Sequence, residues 1–282
     1  MARVVLALAA LLALAAAAPI LPSLNERNAC TKPDRPPTYV DEVYYADVHA
    51  AEDAREMRAA LALLLSNGTL SHSYSCVWDM CEEADEDPSN PDNVILVYTG
   101  ESWPKSQRDT GSSTTGWNRE HVWPKSKGFP DEGDVPYTDG HHLFAAEKRV
   151  NSMRSNKDYK DGGDAVCLLP YKNDINDCDV ITYTTSSTWE VPDDYKGQLA
   201  RVIFYMEVRN QGQDNDTPTL EVIDESTGSI PYFGWLCTLL EWHHDFPVTE
   251  REMFRNNAIY SWQYNRNVFV DHPEWVDELW SC

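Results

Sequence analysis

The sequence lacks several patterns by which common enzyme and metal-binding classes are identified. None of its seven cysteines stands in a C-x2-C pair, which argues against a zinc ribbon. It contains no H-E-x-x-H sequence, so nothing in its spacing supports a zinc hydrolase. Zinc-finger and recognition-helix patterns are also missing, which argues against readout of base sequence. The histidines on which a zinc hydrolase would have to be built are His141, His142, His243 and His244.

Basic residues are scarce. The chain has 282 residues with 23 Lys and Arg against 46 Asp and Glu, and its formal net charge is -23. A charge of this size repels nucleic acid at long range. Residues 105–160 differ, because they hold ten basic and eight acidic side chains. Chance placement on a solvated surface could give the same balance, so charge alone assigns no partner to this segment.

Long hydrophobic runs are absent after the first twenty residues, "MARVVLALAALLALAAAAPI". This stretch has Arg3, an apolar run to about Ala15 and small residues after it, which predicts a secretory signal peptide over residues 1–18. The run is shorter than the roughly 20 residues of a membrane-spanning helix. We therefore expect a secreted, monomeric mature chain, residues 19–282, without a membrane span. Asn67-Gly-Thr69 is a glycosylation sequon.

Export to an oxidising compartment predicts disulfide bonds among the cysteines. Cys167 with Cys178 and Cys76 with Cys81 are the candidates that close short loops. The sequence does not fix the pairing, and an odd number of cysteines leaves at least one thiol free or paired between chains.

The pattern of elements favours one α+β domain, with no internal repeat and no long linker. Residues 81–92 read as an acidic loop without EF-hand spacing. A capping box of Thr249 and Glu252 opens the last predicted helix. Strands are predicted at 93–100, 117–123 and 139–144, and helices at 51–68, 145–156, 197–209, 233–246 and 249–265.

One short segment places a cation, a carboxylate and an imidazole side by side, at Arg119, Glu120 and His121. Neighbouring side chains on a regular strand point to opposite faces, so this arrangement needs an explanation. The segments "NREHVWPKS", "TDGHHL" and "RVNSMRSN" follow one another in this order, and "WHHDFPVTEREMFRNNAIYSWQYNRNVFVDHPEWV" comes later. Together they resemble the secreted or periplasmic endonuclease I family of the ββα-metal, or His-Me finger, class.

The resemblance implies a ββα-metal motif packed among helices, in which the histidine ends a strand. His121 would be the general base that activates water. Glu120 and Asn151 would be the protein ligands of one Mg2+ ion, with Mn2+ and Ca2+ as alternatives. Arg154, one helical turn after Asn151, would either hold the scissile phosphate or form a surface pair with Asp158.

The resemblance extends to residues with supporting roles. Asp139 and His141 match the family's D-x-H-x-L element, and His141 would support the site through a hydrogen bond. Asn265 and Arg266 match its C-terminal element and would act behind the site or in the structure. Arg119 would either serve the site or point away from the metal and serve structure or the DNA backbone.

The expected function is that of a secreted, largely sequence-independent endonuclease that cleaves DNA and leaves 5′-phosphates. It would bind its substrate through phosphate contacts, and the sequence leaves open whether RNA is also cut. The alternative is a catalytically silent binding protein on the same scaffold. The presence of Arg119, Glu120, His121 and Asn151 speaks against that alternative.

Overall fold

The computed structural model describes residues 30–34, 36–111, 115–169, 171–172, 174–212, 218–227 and 231–282. The predicted signal peptide lies outside the described residues. Within the described part of the chain, no helix has the length and apolar character needed to cross a bilayer.

The described chain mixes helices with short strands, which confirms the α+β class. The helices are α1 Asp41–Tyr44, α2 Ala46–His49, α3 Ala54–Ser66, α4 Val77–Ala84, α5 Lys148–Arg154, α6 Asp193–Arg209, α7 Leu236–Asp245, α8 Glu250–Gln263, α9 Val268–Asp271 and α10 Trp275–Leu279. The strands are β1 Glu86–Asp87, β2 Asn90–Ile95, β3 Ser102–Pro104, β4 Trp117–His121, β5 Leu143–Glu147, β6 Asp158–Tyr159, β7 Asp164–Cys167, β8 Ile181–Thr184, β9 Thr188–Trp189, β10 Glu221–Ile223 and β11 Tyr232–Gly234.

The strands form small sheets. β1, β2 and β3 form an antiparallel sheet, β4 pairs with β5, and β10 pairs with β11 in parallel. The fourth sheet has the order β6-β9-β8-β7. The antiparallel β4–β5 pair sets Glu120 opposite Phe144 and His121 opposite Leu143. This pair therefore carries the segment that the sequence singled out.

Helix α5 begins directly after β5, where Glu147 is its N-cap and accepts hydrogen bonds from the backbone nitrogens of Arg149 and Val150. The helix was predicted from residue 145, but residues 145–147 pair with β4 and stay extended. The strand predicted at 139–144 likewise starts later, because Gly140–His142 form a 3-10 turn capped by Asp139. The observed order is β4, loop, β5 and α5.

Long helices supply the core around this unit. Helix α6 is buried along most of its length, as its apolar sequence predicts. Helix α8 packs against α4 and begins at the predicted capping box of Thr249 and Glu252. The helix predicted at 51–68 is confirmed as α3, which Asp53 caps by accepting from the Glu56 backbone nitrogen. Asn67 of the glycosylation sequon follows α3 and is exposed.

The prediction of an acidic loop at residues 81–92 is wrong. Helix α4 extends to Ala84, and strands β1 and β2 follow it. The helix forms because Val77, Met80, Cys81 and Ala84 recur at helical spacing, so their buried stripe faces the core. The strand predicted at 93–100 also ends early, at Ile95.

Two disulfides form, Cys167–Cys178 and Cys237–Cys282. The first is one of the two predicted short-loop pairs. The second candidate pair does not form, and Cys76 and Cys81 are buried free thiols. Cys76 is the N-cap of α4 and Cys81 lies within it. Five residues along a helix rotate a side chain to about 140° from its starting direction, so the two thiols cannot meet.

Candidate active site

Strand β4 directs Glu120 and His121 into different surroundings, as neighbouring residues of a regular strand require. The Glu120 carboxylate faces Tyr98 and Arg154. The His121 ring packs beside Tyr74 and Tyr137, with centroids 5.7 and 4.9 Å away. Because His121 is the last residue of β4, the chain leaves the strand immediately after the pair.

The Glu120 side chain is buried but only half satisfied. Its Oε1 accepts from the Tyr98 hydroxyl at 2.7 Å and from Arg154 Nη1 at 2.8 Å. Within the described ranges, no hydrogen bond reaches its Oε2. Burial raises the pKa of this carboxyl, and the Arg154 guanidinium and the Tyr98 hydroxyl oppose the rise. One carboxylate oxygen is thus anchored and the other is left for a further partner.

Arg154 is fully buried beneath the end of β4. Besides Glu120, its guanidinium donates to the backbone carbonyls of His121 and Val122. Burial works against its charge, but Tyr159, Tyr98 and Glu120 together raise its pKa above the usual value. Arg154 therefore fixes the backbone on which His121 is carried.

The alternative predicted for Arg154, an ion pair with Asp158 at the surface, is wrong. Asp158 is 1% exposed and forms an ion pair with Lys127, and it also accepts from the Thr227 hydroxyl at 2.8 and 2.9 Å. A contact between Arg154 and a phosphate stays a prediction.

Asn151 lies on α5 and faces strand β4. Its Nδ2 donates to Asn118 Oδ1 at 2.8 Å and approaches the Arg119 carbonyl at 3.4 Å. A carbonyl can only accept, so the amide nitrogen must point this way and Oδ1 must point elsewhere. No hydrogen bond to Asn151 Oδ1 occurs in the described part of the chain. A free amide oxygen and a free carboxylate oxygen are the hard ligands that Mg2+ takes from proteins.

His121 is held in one tautomer by the backbone. Its Nε2 lies 2.9 Å from the carbonyl oxygen of Tyr137. Because that oxygen accepts, Nε2 carries the proton and Nδ1 is the nitrogen with a free lone pair. Burial and the neighbouring His142 lower the His121 pKa well below its usual value. The ring is therefore neutral at pH 7, which a general base requires.

Arg119 points away from Glu120. Its guanidinium lies over the Tyr74 ring, 3.4 Å from the centroid, and over Trp78 at 4.2 Å. It also donates to the Tyr74 carbonyl. Arg119 thereby ties β4 to the start of α4, in keeping with the structural alternative predicted for it.

Asp139, His141 and Asn265 form one buried network behind the 3-10 turn. Asp139 accepts from Gln263 Nε2 at 2.9 Å and from the Tyr205 hydroxyl at 2.7 Å. His141 Nε2 donates to the Asn265 carbonyl at 3.0 Å, and Asn265 Nδ2 donates to the Tyr205 hydroxyl at 2.7 Å. These contacts connect the loop before β5 to α6 and to the end of α8.

Arg266 belongs to a different environment. It pairs with Asp271 at 2.6 Å and donates to Asn257 Oδ1 at 2.9 Å. Its guanidinium lies 4.1 Å from the centroid of Tyr39. Arg266 thus joins the N-terminal segment to the C-terminal helices.

Sequence reasoning missed Tyr98, Tyr137 and Lys125. Tyr98 anchors Glu120, and the Tyr137 carbonyl sets the His121 tautomer. Lys125 is exposed and donates to the Tyr137 hydroxyl at 2.6 Å. Only Lys125 carried a sequence signal, a basic residue four positions after His121, and its placement makes it a candidate for contact with substrate phosphate.

Comparison with known proteins identifies the family of the chain. Residues 54–274 match the family model described as Endonuclease I. An extracellular ribonuclease of Bacillus subtilis (strain 168) is 43% identical over 244 residues, covering 86% of this chain and 80% of the relative. An extracellular ribonuclease of Bacillus amyloliquefaciens is 43% identical over 246 residues, with the same two coverages of 86% and 80%. The chain therefore belongs to the endonuclease I family and is a nuclease.

Proposed function

We propose that this protein is a secreted, metal-dependent endonuclease that hydrolyses the phosphodiester bonds of both DNA and RNA and leaves 5′-phosphates. The observation that carries the proposal is the orientation of His121, whose Nε2 is bound to the Tyr137 carbonyl and whose Nδ1 is left as the base. Secretion is supported by the N-terminal sequence and by the two relatives, which are named as extracellular enzymes.

The donor atoms fit a hard divalent cation. Glu120 Oε2 and Asn151 Oδ1 have no hydrogen-bond partner among the described residues, and both are oxygen ligands of the kind that Mg2+ binds. Mn2+ and Ca2+ accept the same donors. When bound there, such an ion would supply positive charge beside the reacting phosphate. We infer that β4, β5 and α5 form the ββα-metal motif.

The chain's own residues have separate tasks in this proposal. His121 Nδ1 takes the proton from the attacking water, while the Tyr137 carbonyl continues to accept from Nε2 and favours the imidazolium that forms. Arg154 and Tyr98 hold the Glu120 carboxylate so that Oε2 keeps one direction. Lys125 is placed to contact phosphate, which positions the substrate without reading its bases.

Water as the nucleophile determines the substrate range. A ribonuclease that uses the RNA 2′-hydroxyl makes 2′,3′-cyclic phosphates and cannot cut DNA. The His121 arrangement needs no 2′-hydroxyl, so both nucleic acids fit it. The relatives' names record ribonuclease activity and do not limit this chain to RNA.

Matched DNA and RNA oligonucleotides of one sequence test this proposal. We expect Mg2+-dependent cleavage of both, with a 5′-phosphate and a 3′-hydroxyl formed at each cut. Ligation of the products, with and without prior phosphatase treatment, identifies the ends. Cyclic phosphate ends on RNA together with intact DNA would contradict the role of His121 as a base acting on water.

A further inference from the structure

A second group of metal-binding side chains lies where the N-terminal helices meet the C-terminal segment. Asp41 belongs to α1, His49 ends α2, and His272 follows α9. One ligand atom from each residue lies within 4.8 Å of the others. We propose that these three side chains bind one transition-metal ion of the zinc class, separate from the Glu120 and His121 site.

The spacing of the donor atoms suits such an ion. His272 Nε2 lies 3.1 and 3.2 Å from the two carboxylate oxygens of Asp41. His49 Nε2 lies 3.7 Å from Asp41 Oδ2. Ligand atoms about 2.0–2.1 Å from a tetrahedral zinc are about 3.3–3.4 Å from one another. The pairs with Asp41 are within a few tenths of an ångström of this spacing. The ligand atoms of His49 and His272 lie within 4.8 Å of one another, so an ion would fit once the exposed His49 side chain moves toward His272.

The surroundings orient His272 and Asp41 as they orient ligands in known metal sites. His272 Nδ1 lies 3.0 Å from Glu274 Oε1, so a carboxylate stands behind the ring and directs Nε2 toward Asp41. The His272 ring stacks on Trp275, with centroids 3.9 Å apart and planes at 10°. The Tyr39 hydroxyl donates to Asp41 Oδ1 at 2.6 Å. These contacts hold two of the three ligands before any metal arrives.

The ligand set selects the class of ion. Two imidazole nitrogens and one carboxylate favour Zn2+, Ni2+ or Cu2+ over Mg2+ or Ca2+, which take oxygen ligands. Three protein ligands leave a fourth position for water, and the His49 side chain is 43% exposed, so that position opens to solvent. Because the ligands come from both ends of the mature chain, binding would fasten α1 and α2 to the C-terminal helices.

Two measurements on the full mature protein test the proposal. Equilibrium dialysis measures zinc binding, and thermal unfolding with and without Zn2+ measures the effect of zinc on Tm. All proteins are compared in the His121→Ala background, so that zinc cannot bind His121. We expect one tightly bound ion and a higher Tm with Zn2+. His49→Ala, at an exposed position, should weaken binding by at least about tenfold and abolish the Tm increase. Asp41→Asn should act in the same direction.

His244→Ala is the matched control, because His244 is also an exposed histidine paired with a carboxylate, Asp277, at 2.7 Å. It should bind zinc like its parent. The proposal is overturned if the parent binds no stoichiometric zinc, if His49→Ala binds as tightly as the parent, or if His244→Ala loses binding equally. Metal content is the readout, so the result does not depend on whether the proposed nuclease mechanism is right.

Discussion

Replacing His121 with alanine is expected to lower kcat/KM for DNA cleavage by about 10²–10⁴-fold, the usual contribution of a general base. The substitution removes Nδ1, the nitrogen that the Tyr137 carbonyl leaves free to accept a proton. The proposed metal ligands and the proposed phosphate contact stay in place, so some activity should remain. Initial rates on plasmid DNA measure the loss, and circular dichroism confirms that the variant is folded.

His142→Ala is the matched comparison, because the His142 ring lies 5.4 Å from the His121 ring in the same buried region. His142 Nε2 contacts the Pro136 carbonyl at 2.7 Å, and its Nδ1 is buried without a partner. Since that nitrogen is buried away from bulk solvent, we expect a much smaller loss of rate. Near-normal activity of His121→Ala, or a larger loss of activity in His142→Ala, would show that His121 is not the general base.

Arg154→Met is expected to lower the free energy of unfolding by about 3–5 kcal/mol, the usual cost of breaking a buried ion pair. The change leaves Glu120 as an unpaired buried carboxylate and removes the donors to the His121 and Val122 carbonyls. Cleavage should also fall, because Glu120 and His121 both lose support. Urea unfolding followed by fluorescence measures the stability change.

Arg149→Met tests the same substitution on the same helix at a half-exposed position. Its ion pair with Glu147 is 3.6 Å long, and its side chain is 38% exposed. Exposed pairs contribute about 0–1 kcal/mol, and Arg149 also donates to the Leu168 carbonyl, so we expect a loss of stability that is clearly smaller than that of Arg154→Met. If Arg154→Met instead kept full stability and only raised KM, then Arg154 would act as a phosphate contact and not as a support.

The sequence could predict those parts of the fold that depend on residues close together in the chain. The predictions of helices α3 and α8 are confirmed. They could be made from sequence because the apolar periodicity and the caps of each helix lie within one continuous segment. Placing Glu120, His121 and Asn151 on neighbouring elements rested on the resemblance to the endonuclease I family, with which the order of strand, loop, strand and helix agrees. Tyr98 and Tyr137 were not predicted as site residues, because each contacts the site through the tertiary fold and not through its position in the sequence.

Buried charge was the other feature that sequence could not reveal. An arginine inside a polar stretch such as "RVNSMRSN" is typical of a helix surface, yet Arg154 is fully buried. Asp85 belongs to the segment predicted as a solvated loop, but it is buried against Arg255, 170 residues away. These placements depend on partners distant in the chain, which no local pattern identifies.

The excess of basic residues in 105–160 does not form a continuous positive surface in the described part of the structure. Many of these cations are neutralised by nearby carboxylates. The ion pairs include Lys105–Glu86, Lys127–Asp158, Lys148–Asp109, Arg149–Glu147 and Arg154–Glu120, and Arg108 lies near Asp79 and Glu82. Lys125 is exposed beside the candidate base and is better placed than these cations to meet phosphate.

A Mg2+ titration of plasmid nicking tests the central claim most directly, with wild type, Asn151→Ala and Ser152→Ala compared. Ser152 is the exposed neighbour of Asn151 on α5, and its hydroxyl donates only to the Lys148 carbonyl at 2.8 Å. We expect EDTA to abolish nicking by wild type, Asn151→Ala to need about tenfold more Mg2+ or worse, and Ser152→Ala to match wild type. Nicking that persists in EDTA, or an Asn151→Ala titration identical to wild type, would contradict the proposed metal site. Absence of nicking by wild type with Mg2+, Mn2+ or Ca2+ would contradict the proposed cleavage of DNA.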